Sequence, residues 1–256
     1  MNNTDEQLRA ELAEARQRMA DMAAAQEEFL RAVSHDLRAP LRHVTSYGAL
    51  VRELLQEVAQ PPAQVAEALD FVATMEQSAR RMAAMLDALQ AISRAQRAPL
   101  VPGAVDLAAA VQAARAELAA REAGRSVQWR LDWPAHLPAL QADQGLLVQV
   151  LVQLLDNALK FTRGCALAEI TVRASASAPG RVTVTVQDNG AGFDDARAHK
   201  LFGVFQRLHR EAEFEGVGAG LALCRAIAER HGAALAASAQ VGQGCSVRLD
   251  WPTVVV

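Results

Sequence analysis

The chain has 256 residues, 51% of them hydrophobic, and a formal net charge of −3, which allows one large domain or two ordinary domains with a substantial core. Aromatic residues make up only 4% of the chain, and no basic surface able to neutralise nucleic-acid phosphates is indicated, so we expect no DNA or RNA partner. The cysteines, Cys165, Cys224 and Cys245, are odd in number and form no C-x-x-C pair, which argues against a disulfide framework and a zinc site and favours a reducing compartment.

Residues 1–33 carry the heptad pattern of a coiled coil, with steps of alternately four and three residues. The heptad positions are Leu8, Leu12, Ala15, Met19, Met22, Gln26, Phe29 and Val33. We predict that this segment is a coiled-coil helix. No uncharged apolar run reaches the roughly 18 residues of a membrane span, so we expect no span and a cytoplasmic location.

Residues 34–98 predict two helices separated by Pro61 and Pro62, because paired prolines cannot continue a helix. The second helix repeats an apolar pattern, and Glu76 is assigned to its opposite, polar face. The apolar positions are Val65, Leu69, Val72, Met75, Ala79, Met82, Leu86 and Leu89. A lone hairpin leaves its apolar faces half exposed, whereas two copies close a four-helix bundle, so we predict a homodimer. The alternative is an intramolecular coiled coil without a partner.

His35 and Asp36 stand side by side on the first of these helices. At about 100° per residue, His35 lies roughly 200° around the helix from Val33 and about as far from Leu37, so its imidazole should face solvent. An exposed histidine is most often an ordinary surface residue. A carboxylate beside it also fits a nucleophile whose second ring nitrogen is held by a hydrogen bond.

After a proline- and glycine-containing break at residues 99–104, which we take as a linker, the pattern changes to strands mixed with helices. Helices are predicted at 107–122, 144–160 and 221–231, and strands at 127–133, 168–174, 181–187, 234–239 and 245–251. Residues 105–256 therefore predict a mixed sheet with helices on one face, and the whole chain belongs to the α+β class.

Two glycine-containing segments lie among these elements. The segment DNGAGF at 188–193 comes directly after a predicted strand, although D-N-G alone is an ordinary hairpin signal. Gly216, Gly218 and Gly220 precede the helix that starts at Leu221, so backbone N–H groups can approach a phosphate there. The spacing differs from the dinucleotide fingerprint and no strand precedes it, so a Rossmann fold is not indicated.

Together and in this order, the motifs resemble the sensor histidine kinases of two-component signalling. The segment 34–41 resembles the phosphoacceptor box, 154–162 the asparagine box, 188–193 the first glycine box, 201–205 the phenylalanine box and 216–220 the second glycine box. The amino-acid sequences of segments 205–210 and 213–216 are most similar to those of kinases of the phytochrome-associated group. The resemblance covers nearly the whole chain and implies a hairpin that forms a dimeric four-helix bundle, followed by an α/β sandwich of the Bergerat ATP-binding type.

The resemblance also implies an activity and a set of roles. The heptad segment 1–33 would be a signalling helix that takes its input from an upstream sensor domain or a sensory partner not visible in this chain. His35 would be phosphorylated from ATP and pass the phosphoryl group to an aspartate of a response-regulator receiver domain, with Asp36 orienting the imidazole. Asn157 would hold Mg²⁺, Lys160 would contact a phosphate, and Asp188 would accept from the adenine amino group. The other implied nucleotide contacts are Gly190, Gly192, Phe193, Phe205, Gly216, Gly218, Gly220 and Leu221. Whether His35 is phosphorylated within one chain or between two stays open.

Three positions depart from the family pattern. Gln153 stands where related ATPases carry a glutamate that activates water, so the site should protect ATP from hydrolysis. Ala39 offers no hydrogen bond to a hydrolytic water, which predicts weak or absent phosphatase activity towards the partner. Val217 lacks the hydroxyl of the threonine often found there. A non-catalytic signalling adaptor and a plain ATPase are the alternative functions.

Overall fold

The computed structural model describes residues 34–57, 63–210 and 213–254. The predicted coiled coil at 1–33 and the proline break at 60–62 lie outside the described residues. The chain divides into two compact units, one extending to Ser93 and one beginning at Arg94.

The first unit is a pair of antiparallel helices. Residues 34–56 are helical and form α1, and α2 spans Ala63–Arg97. Arg38 of α1 donates to Asp87 of α2 at 2.6 Å and to Gln90 at 2.8 Å, which fixes the pairing of the two helices. No helix in the described ranges is long and apolar enough to cross a membrane.

The predicted apolar positions of α2 fall into two groups. Val72, Ala79 and Leu86 are buried inside the hairpin, whereas Met75 and Met82 are 42% and 48% exposed. The apolar side chains of α2 therefore form two groups, one packed against α1 and one exposed on the outside of the hairpin.

The prediction that Glu76 lies on the polar face of α2 is wrong, because only 1% of Glu76 is exposed. Its Oε2 accepts from Arg52 at 2.7 Å and from Arg80 at 3.4 Å. Gly48 faces it, and a Cβ there would lie 3.0 Å from the Glu76 Cγ. The missing side chain at Gly48 makes room for the glutamate stem, and the guanidinium groups compensate the charge, so a carboxylate is buried between the two helices.

The second unit is a five-stranded mixed sheet with a small two-stranded sheet beside it. The strands are β1 (Gly103–Val105), β2 (Val127–Asp132), β3 (Leu140–Ala142), β4 (Ala168–Ala178), β5 (Arg181–Asp188), β6 (Ala234–Ala239) and β7 (Cys245–Pro252). The five-stranded sheet has the order β2-β4-β5-β7-β6, and β1 pairs with β3. The pair β2–β4 is parallel and the other pairs of this sheet are antiparallel, which confirms the predicted mixed sheet.

Three helices cover one face of this sheet: α3 (Leu107–Glu122), α4 (Gln144–Phe161) and α5 (Gly220–Arg230). Along β4, Ile170 and Val172 are fully buried while Arg173 is exposed, the alternation expected of a sheet covered on one side. Between β5 and α5 the chain forms a short 3₁₀ helix, Asp195–Lys200.

Two aspartates set where α3 and α4 begin. Asp106 accepts from the Ala109 N–H at 2.8 Å, and Asp143 accepts from the Leu146 N–H at 3.1 Å. Each satisfies a backbone donor that lacks a partner in the first helical turn. The N–H of Asp143 donates in turn to Nε2 of His231 at 3.0 Å, which ties the start of α4 to the end of α5.

The structure adds short elements that the sequence pattern did not predict, namely β1, β3 and the 3₁₀ helix. A three-residue strand contains too few alternations to show a period of two. Gly103 and Ala104 of the predicted linker lie in β1, and β4 continues to Ala178, beyond its predicted end at Ala174.

Replacing Arg52 by Ala should destabilise the hairpin by about 2 kcal/mol, because the buried carboxylate of Glu76 loses the nearer of its two arginine partners. The effect is moderate because the guanidinium of Arg52 is itself partly exposed to solvent. The double change Arg52→Met with Glu76→Met should restore much of the stability. Thermal unfolding followed by circular dichroism measures both, with Arg42→Ala on the exposed side of α1 as the control. Equal stability of the Arg52→Ala and control variants would contradict the role of Arg52 in compensating the buried Glu76.

Candidate functional site

The predicted site residues fall into two places. His35 and Asp36 lie on α1 in the first unit, and the remaining predicted residues lie in the second unit, at the C-terminal ends of α4 and β5 and along the segment that leads into α5.

His35 is exposed, as its position on the helix predicts. Its side chain is 85% exposed and that of Asp36 is 81% exposed, and Nδ1 of His35 lies 3.2 Å from Oδ1 of Asp36. An ionised carboxylate can only accept, so this contact assigns the proton to Nδ1. The lone pair of Nε2 is then directed to solvent, which is the arrangement required of a nitrogen nucleophile.

One side of α4 carries a row of half-buried polar residues, Gln153, Asn157 and Lys160, spaced by four and three positions. Lys160 Nζ donates to Asn157 Oδ1 at 3.0 Å and lies 4.5 Å from the ring centroid of Phe161. Burial lowers the pKa of Lys160, and the carboxylate of Asp156 acts in the opposite direction.

The side-chain amide oxygen of Asn157 is a neutral, hard ligand of the kind that Mg²⁺ accepts. Among the described residues there is no group of three or more His, Cys, Asp or Glu side chains that could hold a metal ion. A Mg²⁺ ion at Asn157 therefore fits only as an ion that takes further ligands from a bound phosphate group and water.

Asp188 ends β5 in a buried position, with 7% of the residue exposed. Burial raises the pKa of its carboxyl group to about 6, against the effect of hydrogen bonds from the N–H groups of Gly190 and Cys245. The Gly190 bond is 2.8 Å long. A Cβ at Gly190 would lie 2.5 Å from the carbonyl oxygen of Phe161, so only glycine fits this close approach of the turn to α4.

The turn after Asp188 is not an ordinary hairpin, because β5 pairs with β4 and β7 and the chain runs on into the 3₁₀ helix. Gly192 lies against the β6–β7 connection, where the Gly242 N–H donates to the Ala191 carbonyl at 2.7 Å. Phe193 is buried at the end of the turn. The predicted first glycine box is thus a fixed turn that presents a buried carboxyl group beside α4.

The second glycine segment lies beside the polar row of α4. A Cβ at Gly216 would be 3.8 Å from Lys160 Nζ, and a Cβ at Gly220 would collide with the side-chain oxygen of Gln153. The residue before α5, Ala219, makes no side-chain capping bond. The first-turn N–H groups of α5, which begins with Gly220 and Leu221, are therefore left without a side-chain cap next to this row.

The segment before these glycines contains the remaining predicted residues. Phe205 is half-buried with a φ of 61°, an unusual backbone conformation for a bulky residue. Gly218 lies close to it, since a Cβ there would be 2.6 Å from the Gln206 carbonyl. The ring of His209 packs on Phe161 and Phe214, with centroids 5.2 and 5.1 Å away.

Sequence reasoning missed Glu215 and its two arginine partners, Arg121 and Arg163. Both arginines donate to Glu215 with distances of 2.6 Å. The partners lie 94 and 52 positions away along the chain, and no local pattern relates residues at such separations.

Two family models match the chain in the same order as the two units. The His Kinase A (phospho-acceptor) domain matches residues 25–98. The Histidine kinase-, DNA gyrase B-, and HSP90-like ATPase matches residues 142–255.

Curated relatives match along most of this chain. The adaptive-response sensory kinase SasA of Synechococcus sp. (strain JA-2-3B'a(2-13)) is 31% identical over 94% of this chain and 63% of the relative. The phytochrome-like protein Cph1 of Synechocystis sp. (strain ATCC 27184 / PCC 6803 / Kazusa) is 29% identical over 94% of this chain and 31% of the relative. The alginate biosynthesis sensor protein KinB of Pseudomonas aeruginosa is 30% identical over 85% and 35%. The chain thus spans less than two thirds of each of these relatives, and the likeness extends beyond phytochromes.

Solved structures share the fold. Full-length ShkA, crystallised in complex with AMPPNP, superposes with a TM-score of 0.60 at 26% identity over 90% of this chain and 47% of ShkA. The Acinetobacter baumannii histidine kinase AdeS has a TM-score of 0.57 at 17% identity over 86% of this chain and 98% of AdeS, which supports the fold alone. With both family models in order, and with sensory kinases among its relatives, the chain belongs to the sensor histidine kinases.

Proposed function

We propose that this chain phosphorylates itself on His35 with ATP and passes the phosphoryl group to an aspartate of a response-regulator receiver domain. The observation that carries the proposal is the contact between Nδ1 of His35 and Asp36, which leaves Nε2 free as a nucleophile on an exposed surface. The family models and the AMPPNP complex of ShkA support ATP as the phosphoryl donor.

The nucleotide occupies the second unit in this proposal. Asp188 accepts a hydrogen bond from the adenine amino group, and Lys160 contacts a phosphate together with backbone N–H groups of the 216–220 segment. The remaining contacts to the nucleotide come from Gly190, Gly192, Phe193, Phe205, Gly216, Gly218, Gly220 and Leu221. Asn157 holds Mg²⁺, which when bound neutralises negative charge on the phosphates.

The transfer to His35 is balanced in atoms and charge. Nε2 forms a bond to the γ-phosphorus of ATP while the bond from that phosphorus to the bridging oxygen breaks, and ADP leaves with the electron pair. The imidazole keeps its proton on Nδ1 and gains positive charge during the reaction. The carboxylate of Asp36 lies 3.2 Å from Nδ1 and stabilises this charge.

Two residues limit the competing reactions with water. Gln153 lies next to Gly220 at the start of α5, and its amide cannot remove a proton from water near neutral pH, which favours transfer to His35 over hydrolysis. Ala39 offers no side-chain hydrogen bond beside His35, so we propose weak or absent phosphatase activity towards the receiver domain.

The hairpin forms a homodimer in this proposal. Large apolar side chains are exposed along both helices of the first unit: Leu37, Val44, Tyr47, Leu50, Val51, Leu54, Phe71, Met75 and Met82. An exposed apolar surface of this extent is unfavourable in water. A second copy would cover it and complete a four-helix bundle.

The proposed organisation is a signalling helix at 1–33, a dimerisation and phosphotransfer hairpin at 34–98, a linker at 99–104 and an ATP-binding domain at 105–256. The sensory relatives support input from a sensor domain or a sensory partner, and we place the kinase in the cytoplasm. The alternative is a non-catalytic adaptor. Val217 lacks the hydroxyl of the threonine often found at this position, and this hydroxyl would lie near the phosphates of the nucleotide.

Incubation with γ-labelled ATP and Mg²⁺ should label the chain at a residue whose phosphate is lost in acid and kept in alkali, as expected for phosphohistidine. His35→Gln should remove the label because the nucleophile is absent, while nucleotide binding persists. Chelation of Mg²⁺ should also abolish labelling. His43→Gln on the same helix serves as the matched control. Nucleotide binding without any label in the unsubstituted chain would favour the adaptor instead.

Asp188→Asn should abolish ATP binding and yet stabilise the nucleotide-free protein near neutral pH by about 1 to 2 kcal/mol. Burial raises the pKa of this carboxyl group from 3.8 to about 6. The protonated carboxyl group therefore contributes its full stabilisation of the fold below pH 3.8, and this stabilisation is lost as the pH rises through 6. The asparagine carries no charge at any pH. Thermal unfolding from pH 4 to 8 measures the difference, and stabilities that do not converge at low pH would contradict this assignment.

Leu54→Glu should convert the protein to a monomer or weaken the dimer strongly, because a charge would be buried at the interface between copies. Light scattering coupled to size-exclusion chromatography gives the mass directly. Gln56→Glu adds the same charge at an exposed polar position of α1 and should leave the mass of the dimer unchanged. A monomeric unsubstituted chain would argue for the intramolecular coiled coil.

A further inference from the structure

Glu215 fastens the segment before the second glycine box to two helices. Its Oε1 accepts from Arg121 Nη1 at 2.6 Å and from Arg163 Nη2 at 2.6 Å, and its Oε2 accepts from Arg163 Nη1 at 3.1 Å. Arg121 lies in the last turn of α3, and Arg163 lies just beyond the end of α4. One carboxylate therefore joins three parts of the second unit.

The pairing extends to the polar row of α4. Nε of Arg121 lies 3.1 Å from Oδ1 of Asp156, the neighbour of Asn157. The hydrogen bonds from Arg163 and Arg121 lower the pKa of Glu215 to about 2, so its carboxylate is ionised throughout the physiological range. The two guanidinium groups share one carboxylate, and Arg163 binds it through both of its terminal nitrogens. This arrangement is geometrically specific.

The neighbours of Glu215 are also held. Arg207 donates to the carbonyl of Phe214 at 2.6 Å and to the carbonyl of Gly216. The ring of Phe214 packs edge-on against Phe161, with centroids 4.9 Å apart. Residues 214–216 are thus fixed by an ion pair, by backbone contacts and by an aromatic contact.

The segment 216–220 begins at this anchored point, and its three glycines allow its backbone to adopt many conformations. Gly216 and Gly218 have φ values of 116° and 75°, which glycine adopts at no steric cost but also leaves easily. Ordering such a segment when a ligand binds costs conformational entropy. An anchor directly before Gly216 reduces this cost by holding the entry of the segment beside Lys160.

We propose that Glu215 is a positioning residue of the nucleotide site, which through Arg163 and Arg121 holds the segment 214–218 so that its backbone N–H groups and Lys160 converge on the phosphates. The inference rests on the proposed function. Glu215 itself does not touch the nucleotide, since a carboxylate beside phosphates would repel them. It acts through Gly216 and the adjoining end of α4.

The first test measures binding of AMPPNP with Mg²⁺ by titration calorimetry to the full chain. Glu215→Gln removes the charge and keeps the shape, and it should raise the Kd about fivefold, because two partly exposed ion pairs are lost. Glu215→Asp should restore part of the affinity. Glu229→Gln removes the same charge from an exposed pair with Arg225 on α5 and should leave the Kd unchanged.

Adenosine distinguishes positioning from general damage to the fold. It carries no phosphates, so its affinity should be the same in the unsubstituted chain and in Glu215→Gln. A weakened fold would reduce adenosine and AMPPNP binding alike. Raising the salt from about 0.1 M to about 1 M should also bring the AMPPNP affinities of the two proteins together, because the ion pairs are screened.

A double-mutant cycle with Arg163→Gln identifies the partner. If the two side chains act as a pair, Arg163→Gln should weaken binding less in the Glu215→Gln background than alone. Equal or tighter AMPPNP binding by Glu215→Gln, or equal losses for AMPPNP and adenosine, would overturn the role of Glu215. Absence of AMPPNP binding by the unsubstituted chain would instead contradict the proposed function and this role together.

Discussion

The packing of α4 against the sheet determines the geometry of the second unit. Val150, Leu151, Leu155 and Leu159 are buried to 1% exposure or less, so the rotation of α4 about its axis is fixed by the hydrophobic core. The opposite side of the same helix carries the row of Gln153, Asn157 and Lys160. Of these side chains, Gln153 lies beside Gly220 at the start of α5 and Lys160 lies beside Gly216. The apolar side of α4 thus orients the polar side, where the proposed chemistry of the phosphates takes place.

Among the described residues, two carboxyl groups are buried, and they are compensated in different ways. Glu76 lies in the hairpin and is paired with the guanidinium of Arg52 at 2.7 Å. Asp188 receives hydrogen bonds from backbone N–H groups, and burial still raises its pKa to about 6. A carboxyl group without a permanent positive partner keeps its capacity to accept a hydrogen bond from a ligand, whereas a carboxylate already paired with arginine serves the fold. This difference supports the proposed contact of Asp188 with the adenine base, whereas Glu76 stabilises the hairpin.

The elements that were predicted correctly share one property: their pattern of apolar and polar residues repeats often enough to indicate a strand or a helix. The alternation in β4 and β5 and the helical pattern of α3 and α4 are each carried by several residues, and Asp106 and Asp143 mark the helix starts through a local bond. The turn at Asp188 to Gly192 was located because its residues are adjacent in sequence. Glu76 was misplaced because the cavity that accepts it comes from Gly48 on another helix. Glu215 was missed for the same reason, since its meaning lies in contacts with Arg121 and Arg163.

The proposed nucleophile and the predicted nucleotide residues belong to different compact units. His35 is oriented by its immediate neighbour Asp36, and the glycine segment is anchored within the second unit by Glu215. In the proposed function, each of these two groups is preorganised by contacts within its own unit. A variant that weakens only the anchor at Glu215 should therefore lower nucleotide affinity without altering the orientation of His35.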